Sequence, residues 1–230
     1  MKFLEFDKTR DFPFYRHNPH LSNESWLILL LSVPLAFLVY VFLSSFTSEL
    51  VGSVYFMLIM LIPLLYFSNW NYKLFIQKPT KNEIILGVLM FIGYMIYSII
   101  IENLLVNLGI VYPAGANPLN IDYISLISLI FSMMGEELIK FIPLMFFLRL
   151  FYKVTENRNL SFALSSIIIM IGFGLLHYDF TSSVISVLLL QGLGTSFELY
   201  GYFKTKNIFV SYLSHILTDA TVFILILSGL

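Results

Sequence analysis

Long apolar runs separated by short polar stretches organise this chain. Windows of about 18–25 apolar residues are long enough to cross a bilayer as helices. They fall at Trp26–Phe46, Val51–Ser68, Glu83–Ile101, Tyr123–Phe151, Ser161–Asp179, Ser182–Phe203 and Ile208–Leu227. Pro34 and Pro63 lie inside the first two, where membrane helices tolerate proline because neighbouring groups satisfy the freed backbone. The fourth window is longer than a bilayer requires, so it predicts a helix that tilts, kinks near Pro143 or runs on into solvent. The pattern predicts an all-α fold: a polytopic membrane bundle of about seven to eight transmembrane helices, forming a single domain over residues 1–230.

The polar stretches between the runs predict orientation, because lysine and arginine stay on the cytoplasmic side. Four stretches are basic: a leader over residues 1–24, the Asn69–Asn82 loop, the Arg149–Arg158 connection and the Lys204–Lys206 turn. The Thr47–Leu50 turn and the Glu102–Asp122 loop contain neither residue type. Seven alternating spans satisfy this distribution with the N-terminus in the cytoplasm and the C-terminus outside. The leader lacks the apolar core of a cleaved signal peptide. The stretch Tyr112–Pro118 is turn chemistry on the outer side.

Composition narrows the chemistry. With 58% hydrophobic and 12% charged residues, the chain has far more apolar surface than a soluble domain of this length can bury. A net charge of −1 gives no reason to expect a nucleic-acid partner, and the apolar windows make membrane lipid the partner to expect. There is no cysteine, so disulfides and thiolate chemistry are excluded, and any metal must be held by histidine and carboxylate. The absence of cysteine and of an organelle signal fits a prokaryotic plasma membrane. The first two or three helices lack buried charge and are expected to be scaffold, which leaves the chemistry to residues 122–230.

Within the fourth window, Glu136, Glu137 and Lys140 interrupt an otherwise apolar helix. A charge near the bilayer centre costs about 2.5–3.5 kcal/mol on insertion scales, so such residues persist where partners, water or a cation compensate them. Lys140 is one turn from Glu136 and three residues from Glu137, and can offset only part of their charge. The other conspicuous polar residues come later: His177 near the end of the fifth window, and His215 with Asp219 at i,i+4 in the seventh. That spacing lets Asp219 accept from the His215 ring or share a water or ion with it. Glu198 in the sixth window, near Gln191 and Tyr200, reads first as part of a structural polar face.

Depth is compatible with convergence. At 1.5 Å per residue, Glu136 lies about 20 Å from Arg149 and His215 about 12 Å from Asn207. His177 lies about 26 Å in, too near the outer side, if its helix starts at Leu160, and about 18 Å in, sharing the layer of the other two, if it starts around Ser165–Ser166.

The three motifs, Glu136-Glu137-x-x-Lys140, Phe173-x-x-x-His177 and His215-x-x-x-Asp219, resemble those of the CAAX protease and bacteriocin-processing (Abi, CPBP) family of intramembrane proteases. The likeness covers about Phe131 to Phe223. That family places an arginine where this chain has Phe141; the earlier Lys140 is more like the related glutamic-type proteases that cleave anti-sigma factors, whose second motif ends in glutamate where His177 stands here. The resemblance implies an intramembrane endopeptidase that hydrolyses a peptide bond of a membrane-associated or lipidated substrate, a peptide or membrane protein, with Glu136 activating water as general base. Glu137 is turned about 100° from it, toward His177, Lys140 or a neighbouring backbone. His177 and His215, with Glu136 completing the shell, could hold Zn2+ at about 2.0–2.2 Å, or could bind the water and oxyanion directly without metal, with Asp219 orienting His215. Two rival readings are a non-proteolytic membrane regulator or scaffold of the same fold, and a proton-coupled transporter using Glu136, His177 and Asp219 as a relay. No inverted repeat supports the second.

Overall fold

The computed structural model describes residues 10–110, 121–179 and 182–228. The start of the leader and the Tyr112–Pro118 turn lie outside the described residues. Among the described residues the chain forms seven helices: α1 (Asn23–Phe46), α2 (Glu49–Phe67), α3 (Lys81–Asn107), α4 (Tyr123–Thr155), α5 (Arg158–Leu176), α6 (Val184–Thr205) and α7 (Ile208–Leu227). Six of them, all but α4, are long and apolar enough to cross a membrane, which marks an integral membrane protein. Leu27, Leu31, Leu38 and Phe42 of α1, with Ile96 and Ile99 of α3, are among the large apolar side chains left exposed. Lipid is the solvent that such faces require.

The helices begin where polar side chains cap them, two or three residues before several of the apolar windows. Ser22 accepts from the Ser25 amide at 3.1 Å. Thr80 and Glu83 form a reciprocal capping box, with the Thr80 amide donating to Glu83 at 2.7 Å. Asn157 accepts from the Leu160 amide at 3.1 Å. Each cap satisfies amides that the first turn leaves free. The Asn157 cap corrects the expected start of the fifth helix: it begins at Arg158, not at Ser165–Ser166, and His177 is its C-cap residue. That histidine is therefore about 28 Å along the helix.

α4 forms the centre of the bundle, packing against α1, α2, α5 and α7, while α3 packs on α6 and α7. It is 33 residues long and continuous through Pro143, about 50 Å in all. The expected kink is not a break. α5 and α6 cross closely at Gly174 and Gly192: a Cβ on Gly192 would lie 2.7 Å from the Met170 carbonyl oxygen, and one on Gly174 would lie 3.0 Å from the Gly192 Cα. α6 contains a π-helical segment, Leu188–Leu193, at this crossing. Such wide turns are frequent where a helix serves a functional site.

In the N-terminal half the structure adds a docked segment and corrects one expectation. From Arg10 on, the leader is docked on the bundle: Phe12 and Phe14 are buried, and Phe12 stacks on Phe162 of α5 with centroids 4.7 Å apart. Asp11 pairs with Arg16 and Arg158, each at 2.9 Å. Burial alone would raise the Asp11 carboxyl, but hydrogen bonds from Tyr15, the Phe12 amide and Arg158 outweigh it and hold it below the ordinary aspartate value. The Tyr15 hydroxyl, half-desolvated and bonded to Asp11, is pushed up to about 12. Nor is the third helix free of buried charge, since Glu83 is buried and pairs with Arg10 at 2.5 Å. The basic stretches meet at this same end. Asn207, at the α6–α7 turn, accepts from the Gln77 amide and donates to the Gln77 carbonyl, both at 3.0 Å.

Candidate functional site

Four helices and the end of a fifth bring polar side chains to a cavity of about 290 Å³. α4 contributes Glu136, α6 contributes Gln191, Thr195 and Glu198, and α7 contributes His215 and Asp219; His177 closes one side and Tyr94 of α3 another. Glu136, His177, His215 and Asp219, separated widely along the chain, thus line one space.

The two adjacent glutamates have different surroundings because their helix turns about 100° between them. Glu137 faces inward and is buried: its Oε1 lies 2.5 Å from Lys140 Nζ and 2.9 Å from His215 Nδ1, and its Oε2 accepts from the Ser211 hydroxyl. Glu136 faces the cavity and keeps 24% of its side chain exposed; its Oε2 is 3.6 Å from His215 Nε2. Of the three partners expected for Glu137, the structure places it on Lys140, and it adds His215 and Ser211 from α7 in place of His177.

Lys140 is buried and pairs with both Glu137 and Glu198. Its ammonium also stands 4.7 Å above the Phe173 ring, a favourable position over a negative ring face. The lysine therefore joins α4 to α6, and Glu136 is left to the cavity.

His215 is held at both ring nitrogens. Nδ1 meets Glu137, and Nε2 lies 3.2 Å from Asp219 Oδ2 on the opposite side. This fixes the plane of the imidazole and lets each nitrogen donate to a carboxylate. His177 is exposed at the end of α5, and its Nδ1 is 2.9 Å from the Phe173 carbonyl oxygen. With Nδ1–H donating there, Nε2 is the nitrogen free to serve the cavity. Phe173 packs between the imidazoles, 4.7 Å from His177 and 6.3 Å from His215 by centroid.

Sequence reasoning names Glu198 as a further candidate but favours a structural role for it, and it passes over Gln191 and Tyr94 as site residues. Glu198 is a partner of Lys140 and lies 3.9 Å from His215 Nδ1, so it belongs to the site as well as to the packing. Its signal was available: Gln191, Thr195 and Glu198 recur at i, i+4 and i+7, one helical face. Tyr200, by contrast, points outward and is 46% exposed. The Gln191 Oε1 is buried with no hydrogen-bond partner beside the cavity, an acceptor positioned for a group not part of the fold. Nothing in the sequence distinguishes Tyr94 from its neighbour Tyr97.

The residues present do not fit a zinc ion well. Among the described residues, the one group of three histidine or carboxylate ligands with atoms within 4.8 Å of one another is Glu137, Glu198 and His215. It does not include the expected His177 and Glu136. Lys140 Nζ already stands in that triangle, 2.5 Å from Glu137 and 3.4 Å from His215 Nδ1, and an ammonium there opposes a dication.

Comparisons of the chain with protein-family models, curated proteins and solved structures found no match. The family resemblance accordingly stands on the three motifs and their order along the chain.

Proposed function

We propose that this protein is an intramembrane endopeptidase that hydrolyses a peptide bond of a membrane-embedded or membrane-anchored substrate. In this reading α4 crosses the bilayer as a seventh span, the N-terminus is cytoplasmic, and the cavity holds water within a prokaryotic plasma membrane. The observation that supports it best is the convergence of a partly exposed carboxylate, Glu136, with two imidazoles on one space of about 290 Å³.

Amide hydrolysis needs an activated water, donors for the oxyanion and a proton for the leaving amine. Glu136 is the group placed to take a proton from a cavity water and return it to the amine. His215, held at Nδ1 by Glu137, donates its Nε2–H to Asp219 in the resting site and can share that proton with an oxyanion formed in the same space. His177 Nε2 holds the water from the other side. Lys140 keeps Glu137 and Glu198 compensated, so that Glu136 is the carboxylate left to act.

The test is cleavage of a library of transmembrane and membrane-anchored peptides by the purified protein in liposomes. His177→Ala is the informative control, because His177 is exposed and its loss leaves the buried ion pairs intact. Wild type is expected to generate new peptide termini at a rate about 10²–10⁴-fold above this variant, the range for one acid–base or hydrogen-bonding group. New termini from neither protein would favour the second reading, a non-proteolytic regulator of the same fold. The observation on its side is that Glu137, Lys140 and Glu198 are satisfied by one another, as in a cluster that fixes helix register.

A further inference from the structure

About 20 Å along α4 from Glu136 lies a second cavity, of about 420 Å³, walled by one face of that helix and by residues of the docked N-terminal segment. Its most buried charged member is Arg149, 7% exposed. Among the described residues its guanidinium makes one hydrogen bond, Nη2 to Asn23 Oδ1 at 3.1 Å, and no carboxylate lies within 4.0 Å of it. A guanidinium taken out of water without a counter-ion costs several kcal/mol, so its retention beside an open cavity points to an anion that comes from elsewhere.

The other walls agree. Lys153 stands one turn further along the same helical face, and Arg16, His17 and His20 close the opposite side. Among the described residues, the one carboxylate lining the cavity is Glu156, exposed and seven residues from Arg149. Asp11 pairs with Arg16, so that wall is already compensated, and with Arg158 and the Tyr15 hydroxyl; Arg149 and Lys153 are the cations it leaves to the cavity. The volume falls within the range of about 300–1,000 Å³ for small-molecule pockets. It lies at the end of the bundle where the basic stretches gather; with the orientation proposed above, that end meets the cytoplasmic headgroups, where anionic lipids attract such residues.

We propose that this cavity binds a phosphate or phosphate-ester group, gripped by the planar fork of Arg149 with Lys153 as the second cation. The group can come from an anionic phospholipid headgroup or from a soluble phosphate, and the two are separable. The full-length protein is reconstituted in nanodiscs of phosphatidylcholine with increasing phosphatidylglycerol, and separately in phosphatidylcholine alone with added inorganic phosphate. Thermal unfolding is read in each series, and native mass spectrometry counts retained lipid.

A rise in unfolding temperature with phosphatidylglycerol, lost in Arg149→Met and absent with inorganic phosphate, identifies the headgroup. A rise with inorganic phosphate in phosphatidylcholine, lost in the same variant, identifies a soluble phosphate. In either case Arg149→Met weakens the apparent affinity about tenfold or more, the value of a charge-assisted hydrogen bond. Its own stability in phosphatidylcholine equals or exceeds wild type, because an uncompensated buried charge has been removed. Lys153→Met provides a second test should Arg149→Met not fold, since Lys153 is exposed; it weakens the same response. Responses identical to wild type in these variants, or no response to either ligand, would overturn the proposal.

Discussion

Glu136→Gln is expected to slow peptide cleavage by about 10²–10⁴-fold, the usual contribution of a positioned general base, while leaving the unfolding temperature close to wild type. Both halves follow from its surroundings. Glu136 opens on the cavity, and its nearest charged partner is His215 Nε2 at 3.6 Å, too far for a strong hydrogen bond. An amide of the same shape can occupy the position without leaving a buried charge unpaired, yet it cannot accept the proton of an attacking water. Cleavage rate and thermal unfolding, measured on the same preparation, check the two halves separately. A variant that lost its fold along with activity would assign Glu136 to packing.

Lys140→Met reverses that pattern. It removes the cation shared by Glu137 and Glu198, both largely buried, and leaves two carboxylates facing each other across α4 and α6. Breaking a buried ion pair from one side costs about 3–5 kcal/mol, a large share of the stability of a typical domain. The variant should therefore unfold at a markedly lower temperature in detergent. Adding Glu137→Gln and Glu198→Gln to Lys140→Met should recover much of the loss, since replacing all partners of a buried pair is often close to neutral. The triple variant also removes a carboxylate from His215 and should remain impaired in cleavage. Failure of the added substitutions to restore stability would mean that the lysine's packing on Phe173, 4.7 Å below it, outweighs its charge.

The helices were legible because apolar windows report what lipid must cover. Their starts were read late because Ser22, Thr80 and Asn157 are polar caps that such windows pass over. The same bias hid the docking of the N-terminal segment: Phe12 and Phe14 stand among charged neighbours that make the stretch look like solvent-exposed leader. At the site, Glu136, His215 and Asp219 stood out as polar residues in apolar helices. Glu198 was legible as a member of the polar face it shares with Gln191 and Thr195, but a local pattern names a face without showing a partner 58 residues away. Nor could periodicity foresee that Lys140 bridges Glu137 and Glu198 while passing over Glu136. That choice depends on how α6 crosses α5 at Gly174 and Gly192.

The most direct test of peptide hydrolysis at this cavity is cleavage of a membrane peptide by the liposome-embedded wild-type protein in water enriched in heavy oxygen, with fragments weighed by mass spectrometry. The account predicts new carboxyl termini that have taken up one solvent oxygen, formed by wild type and lost with Glu136→Gln. Equal cleavage by wild type and Glu136→Gln, or intact peptide throughout, would contradict it.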